Sequence, residues 1–253
     1  MRMDLQDKQV LITREQSQAQ SFSRLITEAG GHPVVVPLLE INCVVQEKHH
    51  ALWKQIDRFE WLFFTSANGV ECFFKNLEGA SARVADCRIA VVGTKTEHAL
   101  KKYGHVATFI PTTYNADTMA SEFIEKYPNK ERLLLVRGNR SRPVLPDQFA
   151  KHGYDVETVE VYETGTNRNA RNTLETVLLQ NKLDFITFTS PSTVTAFVEL
   201  VDVQKYLHLV CVCIGTTTQQ AAREQGFKQT IIPEEFTIEG MIEEMSDYIK
   251  MKG

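Results

Sequence analysis

Four short clusters of hydroxyl, amide and glycine residues stand directly after apolar runs of strand length. They are Thr65-Ser66-Ala67-Asn68-Gly69 after WLFF, Gly93-Thr94-Lys95-Thr96 after IAVV, Thr189-Ser190-Pro191-Ser192-Thr193 after FITF, and Gly215-Thr216-Thr217-Thr218 after VCVCI. The first turn of a helix leaves backbone N–H groups without partners and carries partial positive charge, so such places bind anions, and nearby hydroxyls and amides add donors. Each cluster alone also reads as a helix N-cap, the position that Ser, Thr and Asn favour. Taken as a set, the four point to a ligand with several negative groups. RGNRSRP at Arg137–Pro143 adds cations: Arg137, Arg140 or Arg142 could grip a carboxylate bidentately, or the segment is a solvated loop. Tyr162 closes the run VETVEVY, where its phenol could donate a proton or a hydrogen bond, or pack as a strand-end aromatic.

Other chemistries lack their residues. There is no GxxxxGK[ST], no GxGxxG after a strand and no GxSxG nucleophile elbow. The histidines show no HExxH and no i, i+4 pairing, so a metal site is not expected. Glu40 and Glu163 occupy equivalent places but read as exposed carboxylates.

The equivalence arises because the chain contains itself twice. FTSANGV at Phe64 returns as FTSPSTV at Phe188, VVGTKT as CIGTTT, Arg14 of LITR as Arg137 of LLVR, and PTTYNADTM as PEEFTIEGM, at offsets of 122 to 124 residues. Two copies are too few for a solenoid, so two similar lobes around a cleft are expected.

Within each copy, apolar runs of strand length alternate with amphipathic stretches. Strands are expected at Val10–Thr13, Val34–Leu38, Trp61–Thr65, Ile89–Val92, Ala107–Ile110, Leu133–Arg137, Glu157–Tyr162, Phe185–Thr189, Val210–Ile214 and Thr230–Ile232. Helices are expected at Ser17–Ala29, Gly69–Asn76, Glu97–Tyr103, Thr118–Lys126, Leu145–His152, Thr193–Val201, Thr217–Gln225 and Ile238–Met251, several closed by a glycine: Gly30, Gly104, Gly153 and Gly226. Strand then helix, repeated, implies α/β lobes with parallel sheets covered on both faces. Leu39–Val44 and Glu163–Asn169 read as hinges.

The bulk properties suit an ordinary globular chain, with 253 residues, 43% hydrophobic and 24% charged. A formal net charge of −4 argues against a nucleic-acid partner. The start MRMDLQDKQ lacks an apolar signal core and no run is long enough to span a membrane, so a cytoplasmic protein is expected. Five cysteines without CxxC, Cys43, Cys72, Cys87, Cys211 and Cys213, read as small buried apolar residues and neither disulfides nor metal ligands.

LITR, FTSANGV, VVGTKT, RGNRSR, VEVYET, FTSPSTV and CIGTTT, in this order, resemble the uroporphyrinogen-III synthase family over essentially the whole chain. Glu15 stands where that family often has proline. The resemblance implies two flavodoxin-like doubly wound domains joined by a two-stranded hinge. One domain would be residues 1–38 with 166–253, the other 41–162, with connections 39–40 and 163–165. It implies a cofactor-free enzyme that closes hydroxymethylbilane, a linear tetrapyrrole carrying eight carboxylates, to uroporphyrinogen III, losing water and inverting ring D. By matching motif, Tyr162 looks like the tyrosine that assists departure of the hydroxyl. Arg14, Ser66, Ala67, Asn68, Gly93, Thr94, Thr96, Arg137, Gly138, Arg142, Ser190, Pro191, Ser192, Gly215, Thr217 and Thr218 look like substrate contacts. A monomer in transient contact with hydroxymethylbilane synthase is expected. Two other readings stand beside it, a nucleotide-dependent glycosyltransferase-like enzyme and an anion-binding module without turnover.

Overall fold

The computed structural model describes residues 3–45, 49–80, 84, 87–180 and 182–252; Met1 and Arg2 of the N-terminal stretch read above lie outside these. In chain order the elements are β1 (Gln9–Ile12), α1 (Gln16–Glu28), β2 (His32–Val35), β3 (Leu39–Cys43), α2 (His50–Trp53), β4 (Trp61–Phe64), α3 (Ala67–Ala80) and β5 (Arg88–Val91). Then come α4 (Thr94–Lys102), α5 (Ala116–Lys126), β6 (Arg132–Gly138), α6 (Val144–Lys151), β7 (Asp155–Thr166), α7 (Arg171–Gln180) and β8 (Phe185–Phe188). The chain ends with α8 (Pro191–Leu200), β9 (Val210–Cys213), α9 (Thr216–Glu224), β10 (Thr230–Ile231) and α10 (Ile238–Lys252).

These form two compact units, Met1–Glu40 with Gly165–Gly253 and Ile41–Thr164. In the first, a sheet of order β10-β9-β8-β1-β2 is parallel throughout, the doubly wound order in which the chain starts inside the sheet and winds both ways. In the second the order is β3-β7-β6-β4-β5, with β7, β6, β4 and β5 parallel. The two sheets interchange the repeats. β1 and β2 of the first copy join β8, β9 and β10 of the second, while β6 and β7 of the second join β4 and β5 of the first. Crossed hydroxyl bonds fix the junction between copies in the first sheet: Thr13 Oγ1 donates to Thr187 O at 2.6 Å and Thr187 Oγ1 to Leu11 O at 2.8 Å, both buried.

Strands β4, β8 and β9 are buried at every position, as apolar runs covered by helices on both faces must be. Each sheet therefore carries two apolar clusters. In the second unit one face packs Phe64, Phe73 and Leu100, and the other packs Trp61, Phe63, Phe123 and Phe149. Glycine ends the helices as expected; Gly30 and Gly226 take φ of 75° and 97°, which a side chain would resist.

Several expectations are corrected. Ala107–Ile110 is no strand but a single bridge from Phe109 to Ala90, with the N–H groups of Thr108 and Phe109 both donating to Ile89 O and that of Val91 donating to Phe109 O. The segment Leu39–Val44, expected as one strand of the hinge, holds β3, which runs antiparallel to β7 through the bonds Val44 N–H to Val161 O and Asn167 N–H to Leu38 O, both 2.8 Å. Helix α7 was not anticipated; its apolar stripe is weak, with Leu174 buried and Leu179 exposed.

The cysteines divide. Cys211 and Cys213 are buried as expected, and burial raises both thiols, Cys213 to about 12. Cys87 is half-buried and donates its thiol to Ile56 O. Cys43 and Cys72, however, form a disulfide with Cα atoms 5.1 Å apart, and Cys43 is exposed. No local spacing announced this, because the pair meets only where β3 lies along α3; there Asn76 Nδ2 also donates to Val44 O at 3.2 Å. The bond joins residues 29 apart in the chain, for which the chain-entropy account gives about 3.6 kcal/mol. Urea unfolding of Cys43→Ser beside the oxidised protein should show a loss of that order; an unchanged midpoint would mean the link adds nothing.

Candidate functional site

Parallel doubly wound sheets bind ligands beyond the carboxyl ends of their strands, and in the second unit two of the expected residues, Ser66 and Gly138, meet Tyr162 there. The ladder between β6 and β7 slips by one residue: Arg137 pairs with Glu160, but Gly138 pairs with Tyr162. Such a bulge re-aims side chains. Val159 and Val161 are both buried, and the next residue, Tyr162, lays its ring on Gly138. A Cβ on Gly138 would lie 2.3 Å from Cε2 and 2.4 Å from Cζ of that ring, so glycine is required by contact.

The phenol reaches Ser66, with Oη and Oγ 3.1 Å apart. Ser66 Oγ also accepts the Gly69 N–H at 3.0 Å, and so caps α3. Ala67 and Asn68 are half-buried in the first turn. The RGNRS segment is a loop held by its own bonds. Gly138 N–H donates to Ser141 Oγ at 3.1 Å, Arg137 Nη2 to Ser141 O, and Asn139 N–H to Tyr162 O at 3.1 Å. Arg137 is thus engaged inside the loop, with Nε 4.0 Å from Glu160, whereas Arg140 and Arg142 are exposed.

In the first unit Ser190 caps α8, accepting the Thr193 N–H at 3.3 Å, and its Oγ lies 2.9 Å from Ser192 Oγ; Pro191 is the exposed first residue of the helix. Arg14, beyond β1, is half-buried, and burial lowers its guanidinium below the usual arginine range, partly opposed by Glu15. It bonds the neutral side chain of Gln18 and makes no ion pair among the described residues.

The other two clusters differ from these caps. Helices α4 and α9 start at Gly93 and Gly215 with no side chain capping them. Thr94, Lys95, Thr216 and Thr217 of the first turns are exposed. Thr96 and Thr218, expected to offer hydroxyls to a ligand, are instead 3% and 1% exposed. The helical period turns them inward onto the face of Ala99 and Leu100, or of Ala222, three or four residues on.

An exposed aromatic covers each of these glycines. A Cβ on Gly93 would lie 2.8 Å from Cγ of Tyr114, and one on Gly215 3.3 Å from Cδ2 of Phe236. Tyr114 and Phe236 are 58% and 57% exposed. The sequence reading passed over both, although their aromatic character repeats at the same place in PTTYNADTM and PEEFTIEGM.

Among the described residues no group of His, Cys, Asp and Glu is arranged to hold a metal ion, and no helix is long and apolar enough to cross a membrane. The family model described as "Uroporphyrinogen-III synthase HemD" matches residues 20–243. The Uroporphyrinogen-III synthase of Chlorobaculum parvum is 32% identical over 237 residues, 90% of this chain and 94% of that protein. The Porphyrin biosynthesis protein HemD of Ruminiclostridium josui is 27% identical over 97% of this chain, which spans only 49% of that longer protein. The crystal structure of uroporphyrinogen-III synthetase from Helicobacter pylori 26695 shares the fold, with a TM-score of 0.59 at 18% identity, covering 97% of this chain and 98% of that one. A family match across most of the chain, on a fold whose strand ends carry the expected motifs, decides the assignment: this chain belongs to the uroporphyrinogen-III synthase family.

Proposed function

We propose that the chain closes hydroxymethylbilane to uroporphyrinogen III, with loss of water and inversion of ring D, and that Tyr162 delivers the proton with which the hydroxyl leaves. The observation that carries this is the phenol of Tyr162, seated on Gly138 and hydrogen-bonded by Ser66 beyond the strand ends of a member of this family. Protonation of the hydroxymethyl oxygen breaks its C–O bond and releases water. The lone pair of the pyrrole nitrogen takes over the electrons lost with that bond and, with the N–H kept, leaves a protonated azafulvene, which attack by ring D turns into a spiro-pyrrolenine. Fragmentation and reclosure at the other carbon invert the ring, and the proton lost on rearomatisation restores the phenol. The scheme balances without a cofactor.

The uncapped start of α4, in the unit that carries Tyr162, supplies N–H donors for carboxylates of the substrate, and Tyr114 offers a face for a pyrrole beside it. Neutral donors suit a substrate whose ring D must turn over, since a bidentate arginine on every carboxylate would hold it still. Holding one conformer while excluding closure in water then supplies much of the rate. We place the reaction in the cytoplasm, with a monomer taking substrate in transient contact with hydroxymethylbilane synthase, because bilane left in water closes by itself.

The test is to supply freshly generated hydroxymethylbilane, oxidise the product and separate the uroporphyrin isomers. Mostly isomer III is expected. Isomer I alone, the spontaneous product, would reject the proposal and leave a binding module without turnover.

A further inference from the structure

We infer that Ser66 is a positioning residue for the proton transfer: its hydroxyl donates to Tyr162 Oη and so leaves the phenol proton free to face the substrate. This rests on the reading of Tyr162 given above. A serine hydroxyl has one proton and two lone pairs, and a phenol has one proton to give. If Tyr162 donated to Ser66, that proton would be spent within the protein. The 3.1 Å contact alone permits either direction.

The surroundings of Ser66 choose between them. The Gly69 N–H already donates into Ser66 Oγ at 3.0 Å. An oxygen that accepts one hydrogen bond is a stronger donor through its own proton and a weaker acceptor for a second, since bonds in a chain polarise one another. Ser66 also sits at the start of α3, a helix of 14 residues, where the peptide dipoles favour negative charge. Charge of that sign appears on Tyr162 Oη when its O–H bond breaks, the electron pair stays on oxygen and the proton passes to the departing hydroxyl. Gly69 N–H, Ser66 O–H and Tyr162 O–H therefore form a one-way chain of donors, from the helix start to the substrate.

The packing holds this chain in line. Gly138 lies against one edge of the ring, and a Cβ on Gly69 would be 3.8 Å from Cε1 on the other side and 3.2 Å from Ser66 Oγ. The phenol has little room to rotate away. Ser66 is therefore assigned to Tyr162, not to a substrate carboxylate.

The experiment compares kcat, KM and isomer ratio for Ser66→Gly, Tyr162→Phe, the double variant and Ser66→Thr. Glycine is chosen because it replaces an N-cap serine at little cost to helix stability; thermal unfolding checks that each variant is folded. A hydrogen bond to a developing charge corresponds to roughly tenfold in rate, so Ser66→Gly should lower kcat about tenfold with KM nearly unchanged. In the Tyr162→Phe background the same change should do almost nothing, and Ser66→Thr, which keeps the hydroxyl, should restore most of the rate.

If Ser66→Gly raises KM at constant kcat, Ser66 contacts substrate and the inference is wrong. If it lowers kcat equally in both backgrounds, its role is only to cap α3, and the inference is again wrong. Full kcat in Tyr162→Phe alone would instead overturn the reading of Tyr162 itself.

Discussion

Gly138→Ala should slow turnover as much as Tyr162→Phe, by about a hundredfold, although it adds a single methyl group. The new Cβ would fall 2.3 and 2.4 Å from two carbons of the Tyr162 ring, far inside contact distance. The backbone cannot yield easily, because Gly138 pairs with Tyr162 in the ladder and its N–H is held by Ser141 Oγ. The ring must move, taking its hydroxyl from Ser66 and from the reacting oxygen. A displacement of about 1 Å at a reacting group is enough to cost on the order of a hundredfold. KM should change little, because the proposed carboxylate donors at the start of α4 are not disturbed. Steady-state kinetics on enzymatically generated bilane, with thermal unfolding as a control, measures both. Wild-type kcat in folded Gly138→Ala would show that the ring position is not needed for turnover.

The largest expected loss of stability is at Phe123. Its fully buried ring meets Trp61 at 4.9 Å, Phe63 at 4.8 Å, Tyr127 at 5.0 Å, Phe149 at 5.4 Å and Phe109 at 5.6 Å between centroids, several edge to face. Phe123→Ala removes the shared member of this cluster and leaves a cavity that flat neighbouring rings fill poorly. The expected cost is about 3 to 5 kcal/mol. The loss should appear as an earlier unfolding transition of the unit Ile41–Thr164, followed by urea titration with the fluorescence of Trp53 and Trp61, both of which lie in that unit. Because that unit carries Tyr162, activity should disappear in the same transition. A cost under about 1 kcal/mol would mean that the cluster closes over the gap.

Much of the fold was legible because its signals are local. Parallel strands covered on both faces must be continuous apolar runs, so WLFF, FITF and VCVC announced themselves, and the positive φ of Gly30 and Gly226 matched the caps read from sequence. Candidate site residues were found through motifs at strand ends, but their separate tasks were not. Ser66 and Ser190 cap helices, while Gly93 and Gly215 begin uncapped ones. Thr96 and Thr218 turn inward, and Tyr114 and Phe236 emerge over the glycines. Each distinction depends on where a side chain points once the helix is packed, which a list of residue types does not contain.

By itself the sequence determined the duplication, the strand and helix alternation and the ends of most elements, since these depend on hydrophobic period and backbone preference within a few residues. The exchange of strands between the copies was implied by the family resemblance and not by either copy's own residues, whereas only the tertiary structure decided that Cys43 and Cys72 are bonded and that Tyr162 rests between Gly138 and Ser66. An apolar strand presents the same pattern to either copy's sheet. Its neighbour is chosen by packing and by contacts such as the crossed bonds of Thr13 and Thr187, between residues far apart in the chain.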